Sequence, residues 1–276
     1  MEYVIVTGAS TGIGYSITKY LVDRNYFVFG SVRKQADADR LTKDFGEASF
    51  KALLFDVTDR DAIEKGRLEV ATVIGEQKLA ALVNNAGIAV GGPLKYLSDE
   101  EIRQQMDVNV IGLLAVTQAF IPHLENRAKA GKIINISSVS GILVSPFTSL
   151  YSASKFAVEA LTHGLRRELY FHGVTAVSIQ PGPIKTPIWD KALSFSGKYD
   201  HTEYCKVLED MDRFIKKTEQ SAIPPERVAE TVYRALISRN PRPTYLVMKG
   251  GIFAKIISWL PHRWVDKLMS SRAKKV

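Results

Sequence analysis

Cysteine is almost absent from this sequence. The single Cys205 among 276 residues cannot form an internal disulfide or a cysteine-based zinc site. The five histidines show no metal-ligand spacing either. We therefore expect no metal centre, and a reducing compartment such as the cytoplasm.

Long apolar runs and a strong overall charge are also lacking. No run approaches the roughly 20 apolar residues that span a bilayer, and Met1-Glu2-Tyr3 shows no basic segment of a secretory signal. The net charge is 37 − 29 = +8, and residues 261–276 contribute half of it, with five basic residues against one acid. The remaining chain is only mildly basic, so its charge does not indicate nucleic-acid binding.

Short apolar segments alternate with helical periodicity from the first residues onward. Strands are predicted at Tyr3–Thr7, Tyr26–Val32, Ala52–Phe55, Ala81–Val83, Lys132–Ser137, Thr175–Gln180 and Thr244–Met248. Helices are predicted at Tyr15–Arg24 and near 59–76, 98–124, 152–172 and 224–237. This order predicts an α/β fold with a doubly wound parallel sheet that helices cover on both faces.

The alternation stops near Pro187. Residues 187–224 hold aromatic residues and mixed charge, including Trp189, Phe195 and Phe214. They are either a pair of helices packed on the domain or an apolar lid over a substrate cleft. We expect residues 1–250 to form one catalytic domain with this insertion, and residues 251–276 to form a basic amphipathic C-terminal extension.

Apolar and basic residues are mixed in Ile252–Leu268 and in the tail that ends with Lys274 and Lys275. One interpretation is peripheral membrane contact, with apolar groups buried in the interface and cations on anionic lipid. The other is packing against the body or another subunit. Pro261, which divides the segment into two short helices, favours the second interpretation.

A glycine-rich turn follows the first predicted strand and reads Thr7-Gly8-Ala9-Ser10-Thr11-Gly12-Ile13-Gly14. Glycine allows the backbone to approach a pyrophosphate, and the next helix presents free N–H groups to it. The pattern predicts nucleotide binding by Gly8, Ser10, Thr11, Gly12, Ile13 and Gly14.

The end of the second strand decides between the two nicotinamide dinucleotides. An acid there would bind the ribose 2′-hydroxyl, whereas an arginine would accept a 2′-phosphate. The sequence has Arg33-Lys34 and no acid, which favours NADP(H) over NAD(H) unless both are merely solvated cations. After the third strand, Asp56 and Val57 are expected at the adenine, with Asp56 accepting from its amino group.

Tyr151 and Lys155 are four residues apart and share one face of a predicted helix. Alone, such a pair is usually a surface pair. A nearby ammonium would lower the pKa of the phenol, which is near ~10 when unperturbed. Tyr151 could then serve as general acid in ketone reduction and as general base in alcohol oxidation.

Six motifs in register resemble the short-chain dehydrogenase/reductases, specifically the single-domain branch. They are Thr7–Gly14, Asn84-Asn85-Ala86-Gly87, Asn109 in Asn-Val-Ile-Gly, Ser138 in Ile-Ser-Ser-Val-Ser-Gly, Tyr151-Ser-Ala-Ser-Lys155 and Pro181–Thr186. The resemblance covers residues 3–186 and implies a Rossmann fold. It also implies a homodimer or homotetramer through the helices near 98–124 and 152–172.

The resemblance implies roles for individual residues. Ser138 would bind the substrate oxygen, although Ser137 and Ser140 are rivals from the sequence alone. Asn109 would hold a water that links Lys155 to solvent, or else bond backbone in a helix kink. Lys155 would bind the nicotinamide ribose. The cofactor would also be lined by Asn85, Ala86 and Gly87 at the adenine-side ribose and by Pro181, Gly182, Ile184 and Thr186 at the nicotinamide.

The expected activity is that of an NADP(H)-dependent oxidoreductase that interconverts an alcohol with its ketone or aldehyde. Details of the sequence are similar to steroid and retinol dehydrogenase-like members, so we expect a hydrophobic steroid-, retinoid- or lipid-like substrate. A small or acyl-thioester carbonyl is the alternative substrate. A non-catalytic cofactor-binding regulator is the alternative function, and the complete set Asn109, Ser138, Tyr151 and Lys155 argues against it.

Overall fold

The computed structural model describes residues 1–125, 131–186, 197–220 and 222–273. In this part of the chain, seven strands form one parallel sheet in the order β3-β2-β1-β4-β5-β6-β7. The strands are β1 Glu2–Val6, β2 Tyr26–Val32, β3 Phe50–Leu54, β4 Leu79–Asn84, β5 Gly131–Ile136, β6 Val174–Pro181 and β7 Thr244–Val247. The predicted α/β fold with a doubly wound parallel sheet is confirmed.

Helices cover both faces of the sheet. They are α1 Gly12–Val22, α2 Gln35–Phe45, α3 Arg60–Ile74, α4 Asp99–Met106, α5 Leu113–Leu124, α6 Ser149–Glu168, α7 Cys205–Gln220, α8 Glu226–Ile237, α9 Gly251–Trp259 and α10 His262–Ala273. Alternation along β1 shows the division between the faces, since Val4 and Val6 join one core with α1 and α8 while Ile5 joins the other with α3 and α5.

Two elements differ from the sequence prediction. Helix α2 was not predicted because most of its eleven residues are polar or charged, although Ala38, Leu41 and Phe45 recur at helical spacing and pack on the core. The predicted helix 98–124 is two helices, α4 and α5, joined by a π-helical turn at Asp107–Gly112. Such turns are uncommon and are frequently found at functional sites.

The segment Asp99–Leu124 is long and apolar enough to cross a membrane by length and composition alone, with a mean hydropathy of 1.3. No continuous apolar run marks this segment in the sequence, because charged and polar residues interrupt it. Its apolar side is part of the core, since Val116 and Phe120 are fully buried with residues of α3 and β4. We interpret it as a core helix pair.

A row of buried polar side chains crosses the carboxyl ends of β4, β5 and β6, where Asn84, Asn135 and Ser178 are in register. The Asn84 amide donates to Thr117 Oγ1 of α5 and to Asn135 Oδ1, both at 2.9 Å. The Asn135 amide donates to Thr162 Oγ1 of α6 at 2.8 Å. These bonds attach both helices to the sheet beside the point where the strand order reverses, between β1 and β4. In open α/β sheets that reversal opens the ligand crevice.

The structure describes part of the 187–224 insertion and most of the C-terminal extension. Pro261 separates α9 from α10, as predicted. Of the 187–224 insertion, residues 197–220 and 222–224 are described and include α7, whereas Trp189 and Phe195 lie outside the described residues. Lys274 and Lys275 lie outside them too.

Candidate active site

The glycine-rich turn connects β1 to α1 at the crevice. Gly8 and Gly12 have positive φ values of 65° and 56°, which glycine adopts without strain. A Cβ on Gly14 would lie 2.1 Å from the Gly8 carbonyl oxygen, so the tight cradle requires glycine there. Thr11 precedes α1 without a side-chain cap. The first-turn N–H groups therefore face a narrow backbone cradle, which fits a pyrophosphate.

Asn85 and Thr7 hold this cradle in place. The Asn85 amide donates to the carbonyl oxygens of Thr7 and Gly8 at 2.9 and 3.1 Å. The backbone N–H groups of Asn85 and Ala86 both donate to Thr7 Oγ1 at 2.9 Å. Bracing the loop is a role of Asn85 beyond the predicted lining of the ribose, which stays a prediction.

Arg33 lies at the carboxyl end of β2, and its side chain is 73% exposed. Its Nη1 is 3.6 Å from Asp56 Oδ2, while Asp56 Oδ1 accepts from the backbone and hydroxyl of Thr58. Val57, next to Asp56, is buried. The structure thus brings Arg33, Asp56 and Val57 to one edge of the crevice, where a cation, an acceptor and an apolar contact fit an adenosine phosphate.

Ser138 and Tyr151 meet through their hydroxyl groups. Ser138 ends the segment after β5 and caps a short 3₁₀ turn, with its Oγ accepting from the Ser140 N–H at 3.1 Å. It also hydrogen-bonds with the Tyr151 hydroxyl. Burial raises the pKa of Tyr151, and the bond to Ser138 opposes that rise only in part.

The predicted lowering of the Tyr151 pKa by Lys155 is therefore wrong for this structure. The Lys155 ammonium lies 5.7 Å from the centre of the Tyr151 ring. The loss of hydration outweighs any charge effect at that distance, so Tyr151 is a neutral phenol at neutral pH.

Lys155 is buried one turn after Tyr151 on α6. Its Nζ donates to the Ile136 carbonyl oxygen of β5 at 2.9 Å. Burial lowers the pKa of Lys155 to about 8, and the nearby Glu159 carboxylate opposes this shift. A Cβ on Gly87 would lie 3.7 Å from Lys155 Nζ and 3.3 Å from Asn109 Oδ1, so the three residues border one small space.

Asn109 occupies the π-helical turn, with its side chain bonded to backbone. Its Oδ1 accepts from the Ile88 N–H and its Nδ2 donates to the Ile88 carbonyl, both at 2.9 Å. The same amide donates to Ser154 Oγ at 3.0 Å. The interpretation of Asn109 as an asparagine bonding backbone in a helix kink thus matches the geometry. The water-holding role of Asn109 stays a prediction.

Three polar residues at this site were not found from the sequence. Gln105, one turn before Asn109, is fully buried and bonds Val90 N–H at 2.7 Å and the Ile88 carbonyl at 3.0 Å. Ser154 accepts from both amides, and Glu159 lies one turn after Lys155. The only sequence signal is their spacing of four from a recognised residue or, for Ser154, adjacency to one.

The motif after β6 leads into the insertion. Pro181 ends β6, a Cβ on Gly182 would lie 2.5 Å from Met248, and Ile184 forms a bridge with Ile223. Thr186 is the last described residue before the gap. The contacts predicted for these four residues with the nicotinamide stay predictions.

The described part of the insertion packs against the loops that precede α4 and α6. Tyr204 makes edge contacts with Tyr96 and Phe147, at ring distances of 6.2 and 5.7 Å. Glu203 accepts from Tyr96 Oη at 2.6 Å and pairs with Lys95 at 2.9 Å. Aromatic contacts and an ion pair therefore attach the insertion to the loop before α4.

Phe147 is held in an unusual backbone conformation. Its φ of 61° is rare for a bulky residue. Its carbonyl oxygen accepts from the Gly92 N–H at 2.8 Å. Such outliers concentrate where the surrounding structure serves a function.

The family model described as short chain dehydrogenase matches residues 2–196. The chain belongs to the short-chain dehydrogenase family. It is 39% identical to an NADPH-dependent 3-dehydrocapnine reductase of Ornithobacterium rhinotracheale, over all of this chain and 99% of the relative. It is 30% identical to a 3-ketodihydrosphingosine reductase of Bacteroides thetaiotaomicron, over 94% and 93% of the two chains.

A solved structure of a serine dehydrogenase complexed with NADP+ is also similar to this dehydrogenase. The TM-score is 0.74 at 27% identity, over 89% of this chain and 94% of the other. Family membership makes this chain an oxidoreductase of the Rossmann fold. In this chain the crevice places the glycine-rich turn on one side and Ser138, Tyr151 and Lys155 on the other, as cofactor-dependent chemistry requires.

Proposed function

We propose that this oxidoreductase reduces the ketone of a lipid-like substrate with NADPH. The observation that carries the proposal is the partly buried Tyr151, whose hydroxyl is neutral at neutral pH and bonded to Ser138 beside the Lys155 ammonium. A ketone oxygen placed against Tyr151 and Ser138 meets a proton donor and a hydrogen-bond partner together.

When bound, the nicotinamide cofactor supplies the hydride. As negative charge develops on the carbonyl oxygen, the Ser138 hydroxyl stabilises it and the Tyr151 hydroxyl donates its proton. The Lys155 ammonium then stabilises the phenolate that remains on Tyr151. Asn109 holds the segment around Ile88 against α6 and so limits the movement of Lys155.

The relatives support the substrate class. Two of them are named for reducing a carbonyl at carbon 3, of dehydrocapnine and of ketodihydrosphingosine. In this chain the aromatic residues Tyr96, Phe147 and Tyr204 form a cluster in front of α4 and α6, and we propose that the substrate lies against it. An apolar wall of that kind favours a hydrophobic chain over a small polar substrate.

The cofactor preference rests on Arg33 and on one relative. The exposed guanidinium beside Asp56 is the cation that a 2′-phosphate would meet, and the dehydrocapnine reductase is named as NADPH-dependent. We propose that this enzyme prefers NADP(H) over NAD(H) because Arg33 can bind the 2′-phosphate.

Exposed aromatic residues support self-association. At the end of α6, Tyr170 and Phe171 are 75% and 90% exposed, and Phe156 on the same helix is 43% exposed. Exposed apolar patches of this kind mark interaction surfaces. We propose a homodimer or homotetramer through this surface.

The C-terminal helices present a second exposed apolar surface. Trp259 and Trp264 are 76% and 65% exposed, and Ile256 is 48% exposed, next to the exposed cations Arg263 and Lys267. Exposed tryptophans beside cations are less consistent with packing on the body than with an anionic lipid surface. We propose peripheral membrane contact there, which also suits a lipid-like substrate.

The first prediction concerns Tyr151. Tyr151→Phe removes the proton donor, so the kcat for NADPH-dependent reduction of 3-ketodihydrosphingosine should fall about 10²- to 10⁴-fold, with NADPH binding retained. NADPH absorbance and fluorescence titration measure the two quantities, and Tyr170→Phe on the surface is the matched control. Retained turnover in Tyr151→Phe would refute the role. If only a ketosteroid, retinal or an acyl thioester were reduced, the substrate class would be wrong.

The second prediction concerns Arg33. Arg33→Ala removes a charge-assisted contact, so the Kd of NADPH should rise about ten-fold or more while that of NADH stays unchanged. Isothermal titration calorimetry measures both constants. Lys43→Ala removes an exposed cation on α2, away from Arg33, and should change neither Kd. Equal affinities for both cofactors in the unmutated protein and in Arg33→Ala would contradict the preference.

The third prediction concerns assembly. Sedimentation or light scattering should give two or four times the chain mass of 30.7 kDa. Phe171→Asp should lower that mass, because a buried carboxylate at an apolar interface is costly. Leu68→Asp, at an exposed position on α3, is the control. A mass of one chain for the unmutated protein would disprove the proposal.

The fourth prediction concerns the membrane. Vesicles that contain phosphatidylserine should co-sediment the protein, and added salt should weaken this binding because it screens the cations. Replacing Trp259 and Trp264 by serine should abolish binding, whereas Leu68→Ser should not. Absence of salt-sensitive binding to the anionic vesicles would end the membrane proposal.

A further inference from the structure

Glu159 is a buried carboxylate that the mechanism above leaves unused. It lies on α6 one turn after Lys155 and is 8% exposed. Its Oε1 accepts from Ser178 Oγ of β6 at 2.6 Å. A Cβ on Gly141 would lie 3.1 Å both from Glu159 Cγ and from the Lys155 carbonyl oxygen. The turn after Ser138 thus covers the carboxylate and the Lys155 backbone together.

A buried carboxylate is costly unless hydrogen bonds and an opposite charge compensate it. Ser178 supplies a neutral hydrogen bond only, and Ser178 itself is fully buried. The opposite charge is the Lys155 ammonium one turn earlier on α6, whose pKa the Glu159 carboxylate raises against the effect of burial. A helix brings residues at this spacing together on one face.

The other groups that face Lys155 do not carry negative charge. From β5 it meets the Ile136 carbonyl, and beside Gly87 it shares a space with the Asn109 side chain. From its own helix it faces the neutral Tyr151. In the described part of the chain, Glu159 is thus the acid that acts on Lys155.

We propose that Glu159 is a positioning residue that keeps the buried Lys155 ammonium charged during catalysis, with Ser178 holding the carboxylate in place. The inference rests on the roles proposed above for Tyr151 and Lys155. Because the ammonium stabilises the Tyr151 phenolate after proton transfer, a neutral Lys155 would slow the step.

The direction of the effect follows from the charges. The pKa of Lys155 is about 8 with the carboxylate present. Removing a nearby opposite charge lowers the pKa of an ammonium, by about one unit or more. Lys155 would then lose its proton near neutrality, and the alkaline limb of the kcat profile would move to lower pH.

Two matched variants separate the charge from the hydrogen bond. Glu159→Gln keeps the shape and an oxygen that accepts from Ser178, but it removes the charge. Ser178→Ala keeps the charge and removes the bond. Each protein is labelled with [ε-¹³C]lysine, and the Lys155 signal, assigned by its loss in Lys155→Met, is followed against pH. The pH profile of kcat is measured on the same samples.

In Glu159→Gln the Lys155 signal and the alkaline limb of kcat should both move about one pH unit lower. In Ser178→Ala both should stay close to their original positions. Glu159→Asp retains the charge at a longer distance from Lys155, so both should move less than in Glu159→Gln. It also replaces the glutamine variant if that protein does not fold, since the longer distance should then give a partial shift in the same direction.

An unchanged Lys155 titration in both Glu159→Gln and Glu159→Asp would overturn the inference. So would a kcat that falls equally at every pH in Glu159→Gln, because that is the result of a purely structural role. The NMR titration needs no substrate. A protein that shows the shift in Lys155 but reduces no ketone would contradict the proposed function and leave the Glu159 inference standing.

Discussion

The burial of one ammonium group sets the conditions for the rest of this site. Lys155 lies within the protein against the carboxyl end of β5, where its Nζ bonds the Ile136 carbonyl. A cation in that position costs free energy unless the surrounding groups are held in place. The bonds of Asn135 to Thr162 and of Ser178 to Glu159 hold α6 against β5 and β6. They hold in place the helix that carries both Lys155 and Tyr151.

The cofactor half and the catalytic half of the crevice meet at the end of β4. Two successive asparagines lie there, and their side chains bond to different parts of the fold. Asn84 connects β4 to α5 and to Asn135 of β5, whereas Asn85 holds the phosphate cradle through the carbonyls of Thr7 and Gly8. One short segment thus links the glycine-rich loop to α5 and β5, and Asn135 continues the link from β5 to α6, which carries Tyr151 and Lys155. Proximity of this kind is a large part of what an enzyme site contributes.

The parts that the sequence predicted and the parts that it did not differ in physical kind. Strands buried on both faces and glycines with required φ values leave strong signals, so the sheet and the cradle of Gly8, Gly12 and Gly14 were predictable. Helix α2 was missed because most of its residues are polar or charged, although Ala38, Leu41 and Phe45 follow a helical period. Gln105 and Glu159 were missed because a buried polar residue looks like a surface residue until its partners are known. The effect on Tyr151 was predicted with the wrong sign, since spacing shows which charges are close but not how much water is excluded.

That reversed sign bears on the direction of the reaction. Burial favours the neutral form of Tyr151 and also weakens the hold of Lys155 on its proton. A neutral phenol is the form that can donate a proton, which is why the proposal above takes ketone reduction as the direction of the reaction. The same desolvation strengthens every electrostatic contact that forms once charge appears on the substrate oxygen. One property, the loss of hydration around Tyr151 and Lys155, thus shifts the two pKa values in opposite directions, raising that of the phenol and lowering that of the ammonium.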